Sequence, residues 1–213
     1  MVYRTSLAFV LFFTASQAGA AIIPPYEIPD IDLPAATPRT IRISIPLEMN
    51  SRISRWVRYF TQEDSERFGR FMSRGAYYKA LIQDILAKEG VPPEFFYLAM
   101  IESGFTLHAH SAANAVGIWQ FIPSTARMYG LRVDRFVDER LDVIRSTHAA
   151  ARLLKRLHAR FGSWYLAMAG YNAGDARVLR AIRRGRTRDF WRLSAAGLLP
   201  RETANYVPQF QAA

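Results

Sequence analysis

The sequence predicts an all-α domain. Three observations carry that prediction. From about Glu48 onward, apolar residues recur at the three- and four-residue spacing of a helix face. Gly, Pro and capping residues interrupt these stripes at helix-length intervals. Convincing alternating strand patterns are absent beyond residue 46, and no internal repeat is visible. Half of the 213 residues are hydrophobic and 13% are aromatic, which is enough for a core.

Residues 1–20 read as a secretory signal peptide. Arg4 supplies the positive end, Leu7 to Phe13 the apolar run, and Ala18-Gly19-Ala20 the cleavage site. That run falls short of the roughly 20 apolar residues a membrane span needs. Residues 21–46 hold six prolines and read as an extended, Pro-rich segment. Residues 47–90 read as an N-terminal helical extension. Its stripes are Ile53, Trp56, Val57 and Phe60, then Phe68, Phe71 and Met72, then Tyr78, Leu81, Ile82, Ile85 and Leu86.

Residues 91–210 form the expected functional domain. Gly90 and the Pro92-Pro93 pair separate it from the extension, and Pro93 suits the first turn of a helix that runs to about Glu102. Gly104 fits that helix's C-terminal cap. Residues 104–123 read as irregular, and Ser124–Tyr129 as a short helix stopped by Gly130. Asp142 is placed to cap a long helix from Val143 to about Phe161, which Gly162 ends. Ser163 caps the next helix, WYLAMAGY, which stops at Asn172 and Gly174. Asp175 is expected to cap another, with Val178, Leu179 and Ile182 inward, and a last helix starts near Pro200.

The formal net charge is +10 and the pI about 10.3. Removing residues 1–20 takes away Arg4 and no acid, so +10 becomes +9. Such a balance calls for an acidic partner. A secretory leader argues against nucleic acid, and no nucleic-acid motif is present. The densest cationic run, Arg183 to Arg188 (RRGRTR), reads either as a solvated loop or as a polyanion contact. There is no cysteine, hence no disulfide and no acylation site of the lipoprotein kind. No stable membrane anchor is therefore expected after signal cleavage.

The residue most suggestive of chemistry is Glu102. It ends the apolar stretch FFYLAMIESGF, and no other acid lies between Glu94 and Asp134. A carboxyl among apolar side chains at the negative end of a helix is costly to ionise. A raised pKa makes it a general acid; full hydration would make it only a helix-end glutamate. Downstream, SAANAVGIWQF (Ser111 to Phe121) mixes small residues with Trp119, Gln120 and Phe121. Small residues permit close approach of a chain or ligand, a Gln amide suits an N-acetyl group, and aromatic faces suit sugar rings. Core packing would account equally well for Trp119 and Phe121. Tyr171 and Asn172 end an otherwise small and apolar helix, where the Tyr171 hydroxyl could meet Glu102, substrate or a core acceptor.

Taken in order, IESGF, SAANAVGIWQFIPSTARMYGL, AGYNAGDARV and ETANYV resemble the lytic transglycosylases of the soluble-lytic-transglycosylase type, within the goose-type lysozyme superfamily. WVRYF and STHAAARLLKRL bring the chain closest to the membrane-bound lytic murein transglycosylase D branch, though without that branch's LysM modules. The resemblance covers about residues 50–210. It implies a lysozyme-like helical fold with a substrate cleft. It also implies cleavage of the β-1,4 bond between N-acetylmuramic acid and N-acetylglucosamine in peptidoglycan, leaving a 1,6-anhydromuramoyl product. Glu102 takes the place of the catalytic acid/base. Ser103, Ser111, Gln120, Tyr171, Asn172 and Tyr206 fall on substrate-binding positions. The implied partner is the peptidoglycan glycan strand, and the implied location is periplasmic or cell-wall associated.

Glycosidases ordinarily use two carboxylates. The remaining nearby acids, Asp134, Asp138, Glu139 and Asp142, read as a solvated face plus a helix cap. A single-carboxylate scheme is therefore expected, with Glu102 acting as acid and then as base, and with neither metal nor organic cofactor. Its competitors are a muramidase that hydrolyses the same bond and a non-catalytic glycan-binding domain.

Overall fold

A computed structural model describes residues 45–213. The expectations for residues 1–20, and for nearly all of 21–46, lie outside these residues. The described chain is all-α, as predicted. Ten helices account for most of it: α1 Ser51–Arg58, α2 Ser65–Ala76, α3 Lys79–Lys88, α4 Phe96–Ser103, α5 Pro123–Met128, α6 Val143–Phe161, α7 Trp164–Ala173, α8 Asp175–Gly185, α9 Phe190–Ala195 and α10 Arg201–Ala212. Among the described residues, β pairing is limited to isolated bridges, two of them within His110–Phe121.

Local chemistry explains most boundaries. The Asn50 side chain accepts from the backbone N–H of Arg52 and Ile53, so α1 starts at Ser51, slightly later than the onset near Glu48 read from the pattern. A π turn, Tyr59–Glu63, then carries the chain toward α2. Pro93 opens a 3-10 turn, Pro93–Phe95, that leads into α4. Asp142 caps α6 at the expected position by accepting from the Arg145 N–H, and Gly162 closes it.

Three expectations need correction. Asp175 does not cap α8: Gly174 takes that place, and Asp175 lies inside the first turn, paired with Arg160 at 2.9 Å. Helix α9 was not foreseen, although Asp189 caps it by accepting from the N–H of Trp191 and Arg192. Asp138 is not part of a solvated face; its role appears below.

One core joins the extension to the rest. Ile45, Phe60, Ile82 and Leu86 share a cluster with Phe95, Phe96, Trp119, Leu154 and Val207. Helix α1 packs on α10, α3 on α6, and α6 on α7. The chain just before α1 is fixed as well. Ile45 is buried, and the Pro46 carbonyl accepts from the Tyr165 hydroxyl and from Gln211 Nε2. Helix α10 also packs on α4, at whose end the carboxyl of interest lies.

Candidate active site

Glu102 occupies the last turn of α4. Phe96, Leu98, Ala99 and Met100 bury the rest of this helix. Gly104, at φ 57°, ends it by donating its N–H to the Met100 carbonyl at 2.7 Å. No basic residue stands in the last turn to offset the helix's negative end. The Glu102 carboxyl is partly buried, and its Oε1 accepts a hydrogen bond from the Tyr206 hydroxyl of α10. Oε2 has no protein hydrogen-bond partner among the described residues and stays open to solvent.

Burial raises the Glu102 pKa from 4.5 to about 7. The nearby Glu202 carboxylate adds to the rise, while the Tyr206 hydrogen bond opposes it. The outcome is a carboxyl that is substantially protonated near neutral pH. Burial and the Glu102 charge push both Tyr171 and Tyr206 well above their ordinary values, so both remain neutral donors.

The segment His110–Phe121 is clamped from several sides. Ser103 Oγ donates to the Ile118 carbonyl at 3.0 Å, and the Tyr171 hydroxyl to the adjacent Trp119 carbonyl at 2.7 Å. Trp119 is fully buried, and its Nε1 donates to Thr147 Oγ1 of α6 at 2.9 Å. Arg140 is only 4% exposed and donates to the carbonyls of Asn114 and Phe121. Asp138 holds that guanidinium through two bonds, of 2.6 and 2.8 Å. Gly117 is obligatory here, because a Cβ would lie 2.1 Å from the Arg140 carbonyl oxygen and φ is 83°.

The structure therefore joins some of the sequence-predicted residues directly and others through backbone. Glu102 and Tyr206 meet. Ser103 and Tyr171 grip consecutive carbonyls of the clamped segment; Tyr171 donates there and not to Glu102. Ser111 Oγ accepts from the Ala115 N–H, and Gln120 Nε2 donates to the carbonyls of Gly117 and Ala109, so both close the segment on itself. Asn172 donates to Glu202 Oε1 at 3.0 Å and accepts from Thr203 at 2.7 Å, tying the end of α7 to the start of α10. Tyr206 lies one turn beyond Glu202, so this tie helps set the α10 register that presents Tyr206 to Glu102.

The four downstream acids are occupied elsewhere. Asp134 accepts from Arg132 and from the N–H of Phe136 and Val137, bonds that lower its pKa to about 2. Asp138 serves Arg140, Glu139 pairs with Arg145, and Asp142 caps α6. Sequence reasoning missed Glu202 and Arg140. Glu202 had a signal, since it stands four residues before Tyr206 in ETANYV and so shares a helix face with it. Arg140 had none, because its acceptors lie 19 and 26 residues away in the chain. Among the described residues, no group of three or more His, Asp or Glu is arranged to hold a metal. None of their helices is long and apolar enough to cross a membrane.

Comparison with known proteins now bears on this arrangement. A family model described as the transglycosylase SLT domain matches residues 80–194, which include the whole of α4, the clamped segment, α6 and α7. The chain belongs to the transglycosylase SLT domain family. The match begins inside α3 and ends before α10, so Tyr206 and Glu202 lie beyond this SLT model. Membrane-bound lytic murein transglycosylase D of Escherichia coli K12 is 40% identical over 189 residues, covering 86% of this chain and 40% of that protein. A putative tributyltin chloride resistance protein of Alteromonas is 43% identical over 96 residues, covering 45% of this chain and 46% of that one. The chain thus spans less than half the length of the curated relatives it matches.

Two solved SLT structures share the fold. An inactive mutant of the Pseudomonas aeruginosa lytic transglycosylase Slt superposes with a TM-score of 0.53 at 24% identity, over 62% of this chain and 23% of that chain. The 70 kDa soluble lytic transglycosylase of Escherichia coli gives 0.53 at 16%, over 79% and 36%. The all-helical architecture expected from the sequence is therefore shared with these SLT structures.

Proposed function

We propose that this SLT-family chain is a peptidoglycan lytic transglycosylase. It cleaves the β-1,4 bond between N-acetylmuramic acid and N-acetylglucosamine and leaves a 1,6-anhydromuramoyl end. The observation that carries this reading is the state of Glu102: a carboxyl raised to about 7 by burial, held at Oε1 by Tyr206 and open at Oε2. In its protonated form, Glu102 delivers the proton to the glycosidic oxygen as the bond to the muramic sugar breaks. The resulting carboxylate then takes the proton of the C6 hydroxyl, whose oxygen bonds to the anomeric carbon. One C–O bond breaks and one forms, and no water is consumed. Tyr206 orients the carboxyl. Ser103 and Tyr171 position the backbone at Ile118 and Trp119; Ser111, Gln120 and Asn172, which make protein hydrogen bonds of their own, are proposed to meet the glycan with the polar capacity that remains. The leader read at residues 1–20 would deliver the chain to the compartment that holds this polymer.

Digestion of purified peptidoglycan with mass spectrometry of the products tests the proposal. Anhydro ends from the wild type, absent with Glu102→Gln, are the expected result. Reducing ends would instead mean hydrolysis. One observation gives that second reading a candidate base, namely the nearness of the Glu202 carboxylate to Glu102. On the lyase reading, Glu202→Gln keeps turnover within a few-fold and anhydro products persist. A loss as large as that of Glu102→Gln would favour the muramidase.

A further inference from the structure

The cationic side of α8 has no part in that scheme. This helix turns Val178 and Ala181 into the core. At about 100° per residue, Arg177, Arg180, Arg183 and Arg184 fall within about 120° of arc, with Arg180 and Arg183 opposite the core face and Arg177 and Arg184 flanking it. All four are exposed, and among the described residues none has a carboxylate within ion-pair distance. The helix's one acid, Asp175, is held by Arg160 of α6.

Helix physics accounts for only half of this face. Arg183 and Arg184 lie in the last turn, where cations complement the negative end of the dipole. Arg177 and Arg180 lie in the first half, where they do not. Arg177–Arg180 and Arg180–Arg183 are like-charge pairs at three-residue spacing, and Arg180–Arg184 is one at four; each opposes helix formation. A face that costs stability and has no carboxylate partner among the described residues calls for an anionic ligand. Guanidinium forks match planar oxyanions bidentately, which suits carboxylates.

We infer that the arginine face of α8 docks the carboxylates of peptidoglycan stem peptides while the cleft holds the glycan. The inference rests on the peptidoglycan reading above. The placement fits, since α8 begins three residues after Asn172, whose side chain bonds the Glu202 carboxylate near Glu102. So does the charge: an N-acetylated glycan backbone offers these arginines little, whereas the peptides attached to it carry free carboxylates. Each exposed contact is weak. Repeated along a polymer, such contacts add up through effective concentration.

Binding curves test this in the inactive Glu102→Gln background, so that the polymer is not consumed. Three ligands are compared: intact sacculi, glycan strands stripped of stem peptides by an amidase and then methyl-esterified at the lactyl carboxylates this exposes, and vesicles containing anionic phospholipid. Adding Arg177→Gln, Arg180→Gln and Arg184→Gln together should weaken binding to sacculi about tenfold at low salt and flatten its salt dependence. Stripped strands should bind both proteins alike. The melting temperature should not fall, because the change relieves repulsion at exposed positions. Equal binding of the two proteins to sacculi would overturn the inference. So would an equal loss on stripped strands, or a loss confined to vesicles. Cleavage of intact sacculi by the wild-type chain is scored separately. Its absence would sink the enzymatic reading without altering the docking comparison.

Discussion

Helices α4 and α6 end with the same hardware and opposite chemistry. Gly104 and Gly162 both adopt left-handed backbone, at φ 57° and 70°, and each donates its N–H to the carbonyl four residues back at 2.7 Å. The last turn of α6 carries Arg160, the charge a helix C-terminus favours. In α4 the same place holds Glu102, the charge it disfavours, with no base in that turn. Their surroundings differ too. A Cβ on Gly162 would meet nothing within 4 Å, whereas one on Gly104 would lie 2.5 Å from the Phe71 ring. One helix end is arranged for stability in water. At the other, packing takes part of the solvent from a carboxyl that the local electrostatics already penalise.

Reaction rate offers the strongest way to sharpen this contrast. Glu102→Gln should lower turnover by at least about 10²–10⁴-fold in a muropeptide-release assay. Near-wild-type release would remove the chemical distinction between the two ends. Next comes a pair of glycine substitutions compared by denaturant melts. Gly162→Ala should cost about 1–2 kcal/mol for the left-handed backbone alone. Gly104→Ala should cost a further ~1–3 kcal/mol for the overlap with Phe71. Equal losses would mean that the α4 end is no more tightly packed than the α6 end.

Stability against pH gives a third test. Burial favours protonated Glu102, so between about 4.5 and 7 the native state binds more protons than the unfolded chain. Stability is therefore lost as pH rises through that window. Glu102→Gln should match the wild type below the window and exceed it above pH 7 by about 1–3 kcal/mol. A constant difference across pH would contradict a raised carboxyl. The smallest effect concerns the neighbours. Because the Tyr206 hydrogen bond opposes the rise, Tyr206→Phe should move the alkaline limb of kcat/KM to higher pH. Because the Glu202 charge adds to the rise, Glu202→Gln should move it lower. Shifts in the same direction would show that the limb does not report Glu102.

The fold was legible wherever its signals are local. Apolar spacing located α3, α6 and α7, and Asp142, Ser163, Gly104 and Gly162 marked ends with their own backbone or side-chain chemistry. Short α9 escaped because six residues show no periodicity, and Asp175 misled because an acid in a first turn resembles a cap when a glycine precedes it. The site was legible in part. Glu102 stood out as a lone acid in an apolar run, and the order of motifs named its companions. Which companion touches it was not legible: Tyr171 and Tyr206 both end up near Glu102, yet only Tyr206 donates to it, because the Trp119 carbonyl takes the hydroxyl of Tyr171.

The sequence alone determined that this chain is helical, where most helices stop, and which acid stands at an unfavourable helix end. These follow from backbone geometry and neighbours within a turn or two. Tertiary structure decided how that acid behaves. The raised pKa depends on burial by distant elements, on the Tyr206 hydroxyl 104 positions away, and on a nearby Glu202 carboxylate. It also turned Asp138 from an apparent surface acid into the partner of a buried arginine that helps hold the clamped segment. Hydrogen bonds and electrostatic fields act through space, and only the folded chain sets those distances.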